Sequence, residues 1–198
     1  SLKTASSLIE VLLSELIGRQ LPDWDVAQTA LGYRDCLKGD SLMKQGDIDS
    51  SVRFVLSGLI RLSYEDAAGR RLTKSIVQAG DAFASLSALA GGTASFSAVA
   101  LGDAAVVSLP YPLMRKLADQ HAEWERLAGM LFMRLAQRKE QREFELLTLT
   151  AEQRWQRLCR DRPKLVESIS QAELAALIGI TPVALSRIKR RIRQKSVR

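Results

Sequence analysis

The chain has 198 residues, 46% of them hydrophobic, with 29 Lys+Arg against 22 Asp+Glu and a formal net charge of +7. That size and apolar content suffice for one or two cored domains, and no run of about 18 apolar residues is present, so no transmembrane helix is expected. Two cysteines, Cys36 and Cys159, and a single histidine, His121, speak against a disulfide framework and a metal cluster; a cytoplasmic protein with no metal and no cofactor is expected.

The charge is unevenly placed. Residues 1–120 carry 12 bases and 13 acids, a balance of −1, while residues 121–198 carry 17 and 9, a balance of +8. A near-neutral front and a basic tail describe a sensor or scaffold joined to something that meets a polyanion. By itself such a run is more often a solvated face.

In chain order, SLKTASSLIEVLLSELIG reads as an amphipathic helix. Glu10 and Glu15 interrupt its apolar stretch and no basic segment precedes it, so it is not a secretion signal. A start at Ser1 without Met is expected of a trimmed chain. After Leu21-Pro22-Asp23, residues 33–110 are poor in helix signals and punctuated by glycines, several followed by aspartate. Ile60, Leu62 and Tyr64 share one face of a strand, with Arg61, Ser63 and Glu65 on the other. Leu72 opens its hairpin partner, and Phe96, Ala98 and Ala100 alternate again, the pattern of a small antiparallel barrel or roll.

From Pro112 the period becomes helical for about 35 residues. Trp124, Ala128, Leu131 and Leu135 recur at spacings of four, three and four, the seam of a coiled coil. One alternative packs this helix on its own roll; its length beside a small domain favours pairing with a second copy. Residues 148–154 form a hinge in which Thr150 caps the next helix, with Gln153 three residues on. Ser170-Gln171-Ala172-Glu173 reads as a capping box opening a helix that buries Leu174, Leu177 and Ile178. Gly179 permits a turn, Thr181 caps the following helix, and Pro182 takes its first position, where a missing amide costs nothing.

In that last helix Leu185, Ile188 and Ile192 face inward. The opposite stripe is Val183, Arg187, Arg190 and Gln194, flanked by Ser186, and it holds no acid. Such a face can enter the major groove, where arginine bridges guanine O6 and N7. Pro182, Val183, Ser186, Arg187 and Arg190 are therefore the candidate base-reading residues. Ser170, Gln171, Thr181, Lys189, Arg191, Arg193, Lys195 and the tail to Arg198 are the candidate phosphate contacts.

The segments LKGDSLMKQGD (37–47), FVLSGLIRLS (54–63), AAGRRL and QAGDAF, followed by a long helix and the helix-turn-helix around Ala175 and Gly179, resemble the cyclic AMP receptor protein/FNR (Crp/Fnr) family of bacterial transcription regulators. The resemblance covers nearly everything from about residue 33. It implies an α+β chain: an N-terminal helix and antiparallel β-roll sensor of cyclic-nucleotide-binding type (1–110), a long dimerisation helix (111–147) and a helix-turn-helix domain (148–198). It further implies a homodimer meeting through Trp124, Ala128, Leu131 and Leu135, with double-stranded DNA and RNA polymerase as partners and no membrane.

Departures from the family pattern refine these expectations. Cyclic-AMP-binding members carry Gly-Glu after the Gly-Asp turn and Arg-Ser or Arg-Thr about ten residues later; here Ala84-Ser85 and Ala94-Ser95 stand there, so cyclic AMP held in the usual way is not expected. An unidentified effector is expected instead in the small-residue region marked by Phe83, Ser85, Ser95 and Ser97. Two cysteines cannot supply the four ligands of an iron–sulfur member, and His121 alone argues against haem. Pro182 and Val183 replace the Arg-Glu pair that reads TGTGA-like half-sites, so the target differs, with Val183 placed for a thymine methyl. The sequence ends soon after the recognition helix, as in a subgroup with GITPxxLSRI endings, and leaves no β-hairpin wing. An enzyme is not expected: residues 33–110 contain no histidine for a cupin metal site, and no nucleophile or carboxylate pair emerges. The remaining alternative is a small-molecule-binding or protein-interaction module whose helical end contacts a protein.

Overall fold

The computed structural model describes residues 2–196. Helix α1 (Leu2–Ile17) buries Ala5, Ile9, Leu13 and Ile17 along one stripe, as its amphipathic pattern requires, and is followed by α2 (Trp24–Thr29). The strands are β1 (Gly32–Cys36), β2 (Ser41–Met43), β3 (Ser51–Ser57), β4 (Leu59–Glu65), β5 (Arg71–Gln78), β6 (Ala82–Phe83), β7 (Ser97–Ala100) and β8 (Ala104–Pro110), with the short helix α3 (Leu86–Leu89) between β6 and β7. They form two antiparallel sheets, ordered β1-β8-β3-β6 and β2-β7-β4-β5.

The Gly-Asp repeats build the turns between these strands. In three of them the aspartate accepts a hydrogen bond from the amide three residues back: Asp40 from Leu37 (3.0 Å), Asp47 from Lys44 (2.8 Å) and Asp81 from Gln78 (3.0 Å). Each preceding glycine supplies the positive φ. Gly58, between β3 and β4, is more constrained still: a Cβ there would overlap the Asp103 carbonyl and Ala104.

The space between the sheets is filled by Val55, Ile60, Leu62, Phe83, Phe96 and Val106 among others. The outer face of the first sheet, through Val52, Phe54, Val107 and Leu109, packs under α1, α2 and the following helices. Ile60 and Leu62 face the roll interior as their alternation requires. The opposite face is not open, however: Arg61 and Ser63 are buried as well, and a bulge separates Leu62 from Ser63. Tyr64 reaches the rim and packs edge-on against Phe96.

The helical run after Pro110 is two helices, α4 (Tyr111–Ala118) and α5 (Ala122–Thr148). His121 breaks them in an extended conformation and shares a 2.7 Å hydrogen bond with Asp23. The break lets α5 fold back onto α2, where Trp124 stacks parallel to Trp24 at 6.2 Å and donates to the Pro22 carbonyl. No glycine or proline marks this break, so periodicity alone runs through it.

The expected dimer seam is corrected by the same packing. Trp124, Ala128 and Leu131 are buried in the chain's own core, and Leu135 is partly buried against it. The apolar residues that α5 leaves in solvent are Met133, Phe144, Leu146 and Leu147. Of these Met133, Phe144 and Leu147, with Gln137 and Glu140 between them, repeat at the same 3.5-residue spacing. They follow the expected seam by two residues, about 200° further round the helix.

Beyond the hinge lie α6 (Ala151–Asp161), α7 (Pro163–Ser168), α8 (Gln171–Leu177) and α9 (Pro182–Ser196). Thr150 and Gln153 make both halves of a capping box. Trp155, Leu174, Ala175, Ile178, Leu185 and Ile188 form the core of this helical unit. A separate cluster joins it to the roll: Ile76 of β5 packs with Leu165 of α7 and Leu177 of α8.

Candidate nucleic-acid interface

The turn between α8 and α9 follows from its residues. The Ser170 hydroxyl accepts from the Glu173 amide at 3.2 Å, which caps α8. The return half of the expected capping box is absent, because the Glu173 carboxylate points away and binds Arg61 of β4 at 2.5 Å. At the far end, the Gly179 amide bonds the Ala176 carbonyl and the Ile180 amide the Ala175 carbonyl, a Schellman closure with Gly179 at φ +75°. Thr181 then accepts from the Ala184 amide at 3.2 Å and Pro182 opens α9.

With Leu185 and Ile188 locked into the core, rotation of α9 is fixed. Pro182, Val183, Ser186, Arg187 and Arg190 all emerge on the exposed side, Val183 at 63% of full exposure. Arg187 and Arg190 make no hydrogen bond or ion pair among the described residues. The predicted stripe is thus brought together as one open surface of small, apolar and cationic groups.

The candidate phosphate contacts are more varied. Ser170 and Thr181 are exposed at helix starts, where unpaired amides and the helix dipole favour an anion. Lys189 is half-buried: it donates to Gln171 at 3.1 Å and lies 5.3 Å from the centre of the Trp155 ring. Arg191 pairs with Glu152 at 3.1 Å, so reaching a phosphate requires an exchange of partners. Arg193 is exposed; the Lys195 side chain and Arg198 lie outside the described residues.

The expected effector residues do not come together as a cavity. Phe83 is part of the roll core, and the buried Ser85 hydroxyl accepts from the amides of Ala88 and Ser95 and faces the Ser95 hydroxyl at 3.3 Å. Ser97 accepts from the Gln45 amide on the outer side of the second sheet. Their small size reflects close packing and capping. A groove of about 1060 Å³ lies instead between α1 and α5, lined by Leu12 and Leu16 on one side, Gln137 and Phe144 on the other, and by Asp81 and Ala82.

Two residues that the sequence did not single out organise the helical half. Arg154 donates to the Leu149 carbonyl at 2.5 Å and the Ile178 carbonyl at 2.8 Å, tying the hinge to the helix-turn-helix. Arg61 was legible only as an outward strand residue. Electrostatics single out a third, Lys74, whose ammonium lies 5.1 Å from the Phe96 ring centre; burial, followed by Arg138, Lys139 and Arg142 nearby, holds its pKa below the ordinary lysine value. No helix among the described residues is long and apolar enough to cross a membrane, and no group of three or more His, Cys, Asp or Glu among them is placed to hold a metal.

Residues 33–121 match the family model of the cyclic nucleotide-binding domain. The chain is 28% identical over 184 residues to the cyclic AMP receptor protein of Thermus thermophilus, covering 87% of this chain and 82% of that protein. Among solved structures it is similar to the Thermus thermophilus catabolite activator protein (26% identity, 94% and 88% of the two chains, TM-score 0.56). It is also similar to FixK2 of Bradyrhizobium japonicum (19% identity, 84% and 86%, TM-score 0.71), a likeness of fold alone. The chain therefore has the α+β fold of these structures, with a roll of the cyclic nucleotide-binding-domain type.

Proposed function

We propose that the chain is a sequence-specific, DNA-binding transcription regulator of the Crp/Fnr type that acts as a homodimer. The observation that carries this reading is the outer face of α9, exposed, free of acids and backed by buried Leu185 and Ile188. Pro182, Val183, Ser186, Arg187 and Arg190 read base edges. Ser170, Gln171, Thr181, Lys189, Arg191, Arg193 and Lys195 set affinity and register on phosphates. The working units are 1–110 as sensor, 111–147 as dimerisation segment and 148–198 as reading head, with RNA polymerase as the further partner.

The dimer contact runs along Met133, Phe144 and Leu147. Cyclic AMP bound in the family's usual way is not part of the proposal, since Ser85 and Ala94 replace the groups that would hold its ribose and phosphate. The test is a titration of duplex DNA against salt. Neutralising several phosphates per head makes log K fall steeply and linearly with log salt, by about 0.9 per phosphate contacted. A flat salt response sinks the reading and favours a protein partner for the helical end.

A further inference from the structure

We infer that the reading head is latched to its own roll through the buried Arg61–Glu173 ion pair, and that this latch holds the chain in a state of low DNA affinity. The inference rests on the DNA-binding function proposed above and names how that function is restrained.

The contact is built from three kinds of interaction. At its centre, Arg61 of β4 and Glu173 of α8 meet at 2.5 Å, with side chains only 8% and 19% exposed. Beside them Ile76 of the second sheet buries Leu165 and Leu177 of the helical unit. At its edge Arg162 of the helical unit reaches across to the Ile76 carbonyl of β5 at 3.0 Å. Arg162 also reaches the Gln78 side chain at 3.1 Å. Arg61 stands on the sheet face that alternation assigns to solvent. Its charged end meets the docked head at Glu173.

The latch touches the reading surface at a specific place. Glu173 lies in the first turn of α8, next to Ser170 and Gln171, where phosphates are to be held. In the docked state that turn is walled on one side by the second sheet, against which Arg61 of β4 holds Glu173. A duplex seated on α9 with its backbone at the start of α8 needs this wall withdrawn. Breaking the ion pair withdraws it.

The variants are Arg61→Met, which keeps the aliphatic stem, Glu173→Gln, which keeps the shape and the helix cap, and the exchanged pair Arg61→Glu with Glu173→Arg. Two readouts are taken on the full-length chain without added small molecules. Hydrogen exchange at the amides of β5 and α8 reports the latch itself; both single variants are expected to lose protection at the two faces together, and the exchanged pair to regain it. Duplex affinity by fluorescence anisotropy at fixed salt reports its consequence; each single variant is expected to bind at least tenfold tighter than the parent, and the exchanged pair to return to the parent value. Unchanged protection in both single variants refutes the latch, whatever the DNA result. Lost protection with unchanged or weaker duplex binding refutes the restraint. Should neither the parent nor any variant bind duplex DNA, the function proposed above falls and the restraint with it, while the exchange data still decide whether the contact holds the head.

Discussion

Replacing Phe144 separates the two stripes of α5. Phe144 is 50% exposed and stands between Met133 and Leu147, which are 60% and 77% exposed. A phenylalanine presents about 200 Å² of surface, so about 100 Å² remains for a second copy to cover. At about 25 cal/mol per Å², and allowing for the methyl group that alanine keeps, Phe144→Ala removes about 2 kcal/mol per protomer. Two-fold symmetry counts the change twice, giving about 4 kcal/mol and a rise of about a thousandfold in the dimer Kd. Sedimentation equilibrium measures it. Trp124→Phe is the control: it loses the hydrogen bond to Pro22 and part of a filled core, about 2 kcal/mol of protomer stability in a denaturant melt, with no change in the dimer Kd. The reverse pattern, dissociation by Trp124→Phe and none by Phe144→Ala, refutes the placement of the dimer contact.

Three further outcomes follow from the geometry. Arg187→Ala is expected to weaken binding to a selected site by about 1–3 kcal/mol and relax base preference, leaving random duplex nearly unaffected; equal loss on both, in competition binding, removes Arg187 from base reading. Gly179→Ala places a side chain at φ +75° and 3.3 Å from Leu146, and is expected to cost about 1–2 kcal/mol of stability in thermal melts. Lys74→Met is expected to raise Tm at neutral pH, because the folded state penalises the Lys74 charge through burial and the nearby cations. Lys74 releases its proton at lower pH when folded than when unfolded. In the window between its depressed folded pKa and the ordinary lysine value the parent therefore gains stability as pH rises, and the advantage of the variant shrinks across that window. An advantage that grows with pH there contradicts the assignment.

The helix-turn-helix was legible because its signals are local. Ser170, Gly179 and Thr181-Pro182 each satisfy or relieve a backbone group within four residues, and the α9 stripe follows from helical geometry once Leu185 and Ile188 are inside. The roll was legible for the same reason in its Gly-Asp turns. The misreadings all concern contacts between distant segments. Helix α5 is apolar along two stripes of the same period, and the larger residues, Trp124 and Leu131, belong to the chain's own core. Arg61 alternates as a solvent residue until α8 docks on it, and Glu173 leaves its cap for the same reason. The serines at 85 and 95 look like a ligand pocket in sequence, yet in the fold they satisfy each other and the backbone around α3.

The central claim is that α9 of a paired chain reads DNA sequence, and selection from a randomised duplex pool by the purified protein, at moderate salt and without added small molecules, tests it most directly. The account predicts enrichment of a two-fold symmetric site whose half-sites differ from TGTGA and change when Arg187 is replaced; restraint by the roll lowers the yield without altering the site. A pool that stays random for the parent and for the Arg61→Met variant alike contradicts it.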